Sequence, residues 1–221
     1  EQQSFSWREN FILTFLERDI SSYGFNIPTV TLRRFWLMLA HYHGQIWNGA
    51  EFDRAMGVSE PTVKRYLDIL TGAFMVRQLH PWHENLKKRQ VKAPKIYIRD
   101  SGILHALLGN EGNSIYTHVK SGASWEGFII EQLISRLKSR DFYYWRTHTG
   151  TELDLMVLKG GKKLGFEIKF SETPKITRSM LSAFEDLKLD HLFLIYKGHR
   201  EFLLNEKILA VPASNIFDFD F

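Results

Sequence analysis

The sequence predicts a mixed α/β (α+β) chain built in two parts, and three observations carry that expectation. From Phe5 to Gly72 the apolar residues recur mostly at helical spacing. After Gly72 the period turns to that of strands, with a basic segment between two of them. From Ala123 onward a long amphipathic helix precedes three strand-like runs, another helix and another strand, the order of a sheet with helices packed on it.

Composition sets the bounds. A chain of 221 residues with 44% hydrophobic residues is long and apolar enough to bury real cores, and disorder throughout is excluded. With no Cys there is no disulfide framework, thiolate metal site or Cys nucleophile, which fits a reducing, cytoplasmic setting. The strongest apolar stretch, Phe35 to Ala40, is too short to span a bilayer, and the start has no signal-peptide pattern, so no membrane is expected. The 29 Lys and Arg exceed the 25 Asp and Glu by four. Residues 1–83 hold eight of each sign and residues 101–221 fifteen of each, so the whole surplus lies in 84–100.

Residues 5–20 read as an amphipathic helix through Trp7, Phe11, Ile12, Phe15 and Leu16. Ser21 to Pro28 breaks it. Thr31 to Tyr42 is apolar nearly all round and reads as a buried helix. Gly49 to Met56 is a short helix stopped by Gly57. Ser59 reads as the N-cap of the next helix, with Pro61 in its first turn and Val63, Tyr66, Leu67 and Leu70 on one face. Phe74 to Leu79 and Lys95 to Arg99 are strands. Helix, short helix, turn, helix and two strands is the order of a winged helix-turn-helix. On that reading Glu60 to Thr71 is the recognition helix, with Thr62, Lys64 and Arg65 outward, and the segment with Lys87, Lys88, Arg89 and Lys92 is the wing. Either DNA or protein is a fitting partner for such a module.

In the second part Ser101 to Leu108 is a short helix, and a loop runs from there through Gly122. Ala123 to Ser139 is a clear helix. Strands follow at Phe142–Arg146, Glu152–Leu158 and Leu164–Phe170, the last two joined by a Gly160-Gly161 turn. Ile176 to Leu187 is a helix, His191 to Tyr196 a strand, and the tail offers one or two more short strands.

Three carboxylates here sit where burial is expected. Glu126 falls in the middle of its helix's apolar face. Alternation puts Asp154 with Glu152 and Met156 on one strand face, and Glu167 with Lys169 on one face of the next. If those strands pair through the glycine turn, Asp154 and Glu167 converge with Lys169 beside them. Two hard-oxygen ligands suit Mg2+ or Mn2+, which activates water and stabilises charge on a phosphate. The bland counterpart is a cross-strand Glu167–Lys169 ion pair on a half-exposed face.

Glu126, Asp154 and Glu167-Ile168-Lys169, in this order, resemble the PD-(D/E)xK, or restriction-endonuclease-like, fold over residues 101–221, although Asp154 follows Thr-Glu-Leu and not Pro. FLERDI (Phe15–Ile20), KIYIRDSGILHALLG (Lys95–Gly109), WEGFIIEQL (Trp125–Leu133), YYWRTHTGTELDLMV (Tyr143–Val157) and FEIKF (Phe166–Phe170) are similar to the C-terminal region that follows the ATPase core in many prokaryotic AAA+-type proteins. The resemblance implies a linker helix over 1–27, a winged helix over 28–100 and a nuclease-like domain over 101–221. It implies Asp154 and Glu167 as metal ligands, Lys169 as the cation that orients water, and Glu126 as a supporting ligand or base. It also implies an ATPase module upstream, to which ATP binds; the chain opens at Glu1 and carries no phosphate-binding G-x-x-x-x-G-K-[ST] loop of its own. Expected partners are DNA and that ATPase domain, and nothing in the sequence excludes a homo-oligomer. Cleavage does not follow from the fold, so a catalytically inactive binding or assembly module is the alternative. Of the nine histidines, most read as surface or packing residues, and His148 in the turn before Asp154 is the one placed to approach the carboxylates.

Overall fold

A computed structural model describes residues 2–85, 87–110 and 119–221. The chain forms two compact units, residues 1–78 with 96–127 and residues 79–95 with 128–221. The architecture is the mixed α/β one expected, helices with a small sheet and helices with a six-stranded sheet.

In the first unit α1 (Gln2–Thr14) continues through a π-helical turn, Phe15–Asp19, and a last turn, Ile20–Ser22. α2 (Thr29–His41), α3 (Gly49–Met56), α4 (Glu60–Gly72) and α5 (Ser101–Leu107) follow, with β1 (Gln45–Ile46), β2 (Val76–Leu79) and β3 (Lys95–Ile98) paired in the order β1-β3-β2. β1 is two residues long, too short to show a period. The helices bury one stripe each: Leu32, Phe35, Trp36 and Leu39 from α2, Phe52 from α3, and Val63, Leu67 and Leu70 from α4 form one core with Phe15, Leu16 and Ile103. α2 is therefore one-sided, since Arg33 and Arg34 face out. Gly57 ends α3 at φ 70°, the left-handed position glycine favours. The strand expected from Phe74 starts at Val76 instead. Phe74 has φ 61° and is 72% exposed, because the chain turns there and the Met75 N–H closes α4 on the Leu70 carbonyl. Of the loop expected through Gly122, residues 111–118 lie outside the described residues.

α6 (Ser121–Leu137) enters the second unit from Phe128 onward. The sheet there has the order β4-β5-β6-β7-β9-β8, from β4 (Phe142–Arg146), β5 (Glu152–Lys159), β6 (Lys162–Lys169), β7 (His191–Tyr196), β8 (Phe202–Leu203) and β9 (Ile208–Pro212). β4, β5 and β6 form an antiparallel meander, β6, β7 and β9 run parallel, and β8 is antiparallel to β9. The β5–β6 hairpin turns at Gly160 and Gly161, with φ 59° and 79°. α7 (Arg178–Leu187) is capped by Thr177, whose hydroxyl accepts from the Met180 N–H at 3.2 Å. Met180, Ala183 and Leu187 pack on Trp145, Leu153, Met156, Leu192 and Leu194. Every residue from Leu153 to Val157 is buried, so both faces of β5 are covered and the half-exposed face expected from alternation is not found. Among the described residues no helix is long and apolar enough to cross a membrane.

Candidate functional site

The carboxylates of β5 and β6 come first because burial of acids is costly. Asp154 is 6% exposed and Glu167 5%. The β5–β6 pairing runs from Lys159↔Lys162 to Leu155↔Phe166, so Asp154 and Glu167 are the next residues on the two neighbouring strands. Asp154 Oδ2 accepts from the Ile168 N–H at 2.8 Å, which ties its carboxylate across to β6. Glu167 Oε1 meets Lys169 Nζ at 2.7 Å, and the lysine side chain is 42% exposed. The structure thus pairs the two carboxylate strands as expected, with the ion pair of the bland reading present in the same place.

The pairing with β4 adds what alternation does not contain. Trp145 pairs with Leu153 and Tyr143 with Met156, so two steps along β4 match three along β5. The extra residue falls between Leu153 and Met156, at Asp154-Leu155. Leu153 and Met156, which a strict period of two sets on opposite faces, belong to one core cluster. This is a β-bulge, a device that re-aims a side chain and recurs beside active sites.

Glu126 belongs to the first unit, where it is half-buried and its Oε1 accepts from the Tyr97 hydroxyl at 2.5 Å. Nearby in that unit, His43 is 1% exposed. Its Nδ1 accepts from the Ile98 N–H at 3.0 Å, so Nε2 carries the proton and donates to the Ala123 carbonyl at 3.1 Å. Burial pulls its pKa down to about 4, aided by Lys120 and His105 and opposed by the Ala123 carbonyl.

On α4, Thr62 is half-buried with its hydroxyl 2.9 Å from that of Ser59. Lys64 and Arg65 are exposed and border a groove of about 780 Å3 walled by Tyr23, Phe25, Ile69 and Phe74. The expected wing belongs to the second unit. Isolated bridges join Pro81 to Tyr144 and Gln90 to Thr147, so the segment lies along β4. Lys87 is exposed. Lys88 pairs with Asp186 at 2.5 Å, and buried Lys95 pairs with Glu152. Arg89 and Lys92 line a cavity together with His148, which the sequence placed nearer the carboxylates. Grouped by contacts, the second unit carries nineteen basic residues against fourteen acidic, because it takes in residues 79–95 as well as 128–221.

Mg2+ is bound through one or two carboxylates, with waters and substrate oxygens completing its shell. Asp154 and Glu167 meet that requirement. Among the described residues no group of three or more His, Cys, Asp or Glu could hold a metal ion.

The model of a domain of unknown function, DUF8612, matches residues 1–114, and that of another, DUF4143, matches residues 121–216. Domains of the second kind are typically found C-terminal to AAA ATPase domains. Two proteins described as uncharacterised, from Mycobacterium bovis and Mycobacterium tuberculosis, are each 51% identical over 216 residues, which is 97% of this chain and 49% of theirs. The chain thus spans about half the length of these relatives. The crystal structure of protein VC1899 from Vibrio cholerae aligns at TM-score 0.27 and 15% identity, over 98% of this chain and 53% of that one.

Proposed function

We propose, from the premise that the chain belongs to the DUF8612 family, that it is the non-ATPase portion of an AAA-type protein whose second unit hydrolyses nucleic-acid phosphodiesters with Mg2+ or Mn2+. The observation that carries the reading is the β5–β6 pairing that sets Asp154 beside Glu167, both almost fully buried, with Lys169 at hand. When bound, the ion would lower the pKa of a water and neutralise charge on the scissile phosphate. The chain's own residues supply the rest. The Ile168 N–H fixes the orientation of Asp154. Glu167 presents the second hard oxygen, and Lys169, partly exposed beside it, stabilises negative charge as it develops. In the first unit, α2 to α4 with β1 to β3 support a winged helix, since the strand order β1-β3-β2 follows helix, strand, helix, helix. The aromatic groove beside Lys64 and Arg65 supports protein contact, with the upstream ATPase module or a partner, over DNA for that face.

A second reading has its own observation. Asp154 and Glu167 each already have a partner inside the unit, Ile168 N–H and Lys169, which supports a scaffold kept for assembly. Thermal unfolding with millimolar Mn2+ separates the two, because a ligand bound by the native state alone raises the midpoint. The nuclease reading expects a rise that Asp154→Asn abolishes, and Mg2+-dependent cleavage of DNA or RNA that Asp154→Asn or Lys169→Met lowers by about a hundredfold or more. Absence of both the shift and cleavage in the parent chain assigns the scaffold. Cleavage that survives both substitutions overturns the assignment of these residues.

A further inference from the structure

The cations of residues 79–95 divide into those that are occupied and those that are not. Lys88 is held by Asp186, and Lys95 by Glu152, which Arg146 also meets at 3.1 Å. The segment's own acid, Glu84, is taken by Lys163 at 2.6 Å, a bond that holds its carboxyl below the usual range. Arg89 and Lys92, like exposed Lys87, make no ion pair among the described residues. Both, exposed themselves, border an open cavity of about 580 Å3 that His83, His148, Gln90, Val91 and Ala93 also line. Among the described residues no carboxylate lines it.

The wall of this cavity is held at several points. The Val91 N–H donates to the Arg146 carbonyl at 2.9 Å, and the His148 N–H to the Arg89 carbonyl at 2.9 Å. Gln90 Oε1 accepts from Trp145 Nε1 at 2.8 Å and from the Glu84 N–H at 3.0 Å. The Tyr144 hydroxyl donates to the Ala93 carbonyl at 2.5 Å. The charged groups therefore stand on backbone that is already ordered, which lowers the entropy lost on binding.

We propose that His83, Arg89, Lys92 and His148 form a phosphate-binding pocket in the second unit. Arg presents a planar fork of donors that matches phosphate oxygens, Lys a point charge, and the imidazoles a further donor each. A volume of about 580 Å3 exceeds a bare phosphate and lies in the range of small-ligand sites. The ligand is a phosphate-bearing group of nucleotide size, which either a strand end or a free mononucleotide supplies. The inference goes beyond the carboxylate site: it uses other residues and needs no metal.

The test uses the whole chain in EDTA, so failure of metal-dependent cleavage has no bearing on it. Anisotropy of a 3′-labelled hexathymidylate is measured with and without a 5′-phosphate, with thymidine monophosphate and inorganic phosphate as competitors. A phosphorylated strand that binds about tenfold tighter, the scale of one charge-assisted hydrogen bond, assigns the strand end. Competition by the mononucleotide without that preference assigns the free nucleotide. Either result is expected to disappear in Arg89→Ala and Lys92→Ala and to persist in Lys162→Ala, an exposed lysine at the start of β6. The proposal is overturned if the 5′-phosphate makes no difference and neither competitor displaces the strand. It is equally overturned if Arg89→Ala/Lys92→Ala, with an unchanged circular dichroism spectrum, binds as the parent does.

Discussion

Lowering the pH from 7 towards 4 should destabilise the first unit through His43. In the folded chain this ring is 1% exposed, and burial takes its pKa from 6.5 to about 4. The unfolded chain begins to bind the proton near pH 6.5, whereas the folded chain resists it until about pH 4. Between those values the unfolded state holds more protons, so stability rises with pH there. The contribution is present in full above pH 6.5, shrinks as the pH falls, and is spent below about 4. A shift from 6.5 to about 4 at 1.36 kcal/mol per unit corresponds to about 3 kcal/mol. The hydrogen bonds explain why the neutral ring is kept. Protonation would turn Nδ1, the acceptor for the Ile98 N–H, into a donor facing a donor.

Carboxylates also titrate in this window, so the measurement is a difference. Urea unfolding of the chain and of His43→Gln is compared at pH 7, 6, 5 and 4.5. Glutamine keeps one donor and one acceptor and does not titrate. The variant is expected to be the weaker at pH 7, through imperfect replacement of the two bonds, and to lose about 2 kcal/mol less than the parent between pH 7 and 4.5. The ring resonances of His43 should stay in their neutral form until the pH approaches 4. Equal losses in both chains, or a His43 titration near 6.5, would refute the argument.

Two further substitutions probe the second unit. Lys95→Ala removes a cation whose side chain is 5% exposed and leaves Glu152 with Arg146 alone, and is expected to cost about 3 kcal/mol in urea unfolding. Tyr144→Phe deletes the donor to the Ala93 carbonyl and should cost about 1 kcal/mol, with weaker capture at Arg89 and Lys92. Burial raises the Tyr144 hydroxyl to about 12, so an ultraviolet titration should show one phenol ionising late in the parent and absent from the variant. Since the unfolded phenol ionises near 10, that bond's stabilisation is present below pH 10 and is lost as the pH rises towards 12.

Local patterns carried most of the elements. α4 buries the stripe that helical spacing assigns it, Val63, Tyr66, Leu67 and Leu70, and Gly160-Gly161 turns the hairpin as its residue types require. Asp154 and Glu167 were legible as neighbours because both offsets follow from that turn. The bulge was not legible. It is a mismatch between β4 and β5, and a period read along β5 alone puts Leu153 and Met156 on opposite faces. The burial of His43 was hidden for a related reason. Its partners, Ile98 and Ala123, are 55 and 80 positions away, and nothing local to His43 distinguishes it from His41.

The basic segment shows best how long-range pairing changes a functional reading. Counted along the chain, its surplus is a wing, separate from a neutral second part that holds the carboxylates. Followed through Gln90 to Trp145, Lys88 to Asp186 and Tyr144 to Ala93, the same residues belong to the unit that contains Asp154 and Glu167. Pairing also thins the charge, because Lys88 and Lys95 are neutralised in place while Arg89 and Lys92 at the cavity, and exposed Lys87 outside it, are not. A cation already matched by a carboxylate releases few counterions when an anion arrives, and an unmatched one releases its full share. Capture of a phosphate should therefore depend on two particular side chains and not on the summed charge of the segment. Lys88→Ala, which frees Asp186, should change the salt slope little, whereas Lys92→Ala should flatten it by about one ion. Equal slopes for the two variants would return the segment to the status of a diffuse positive surface.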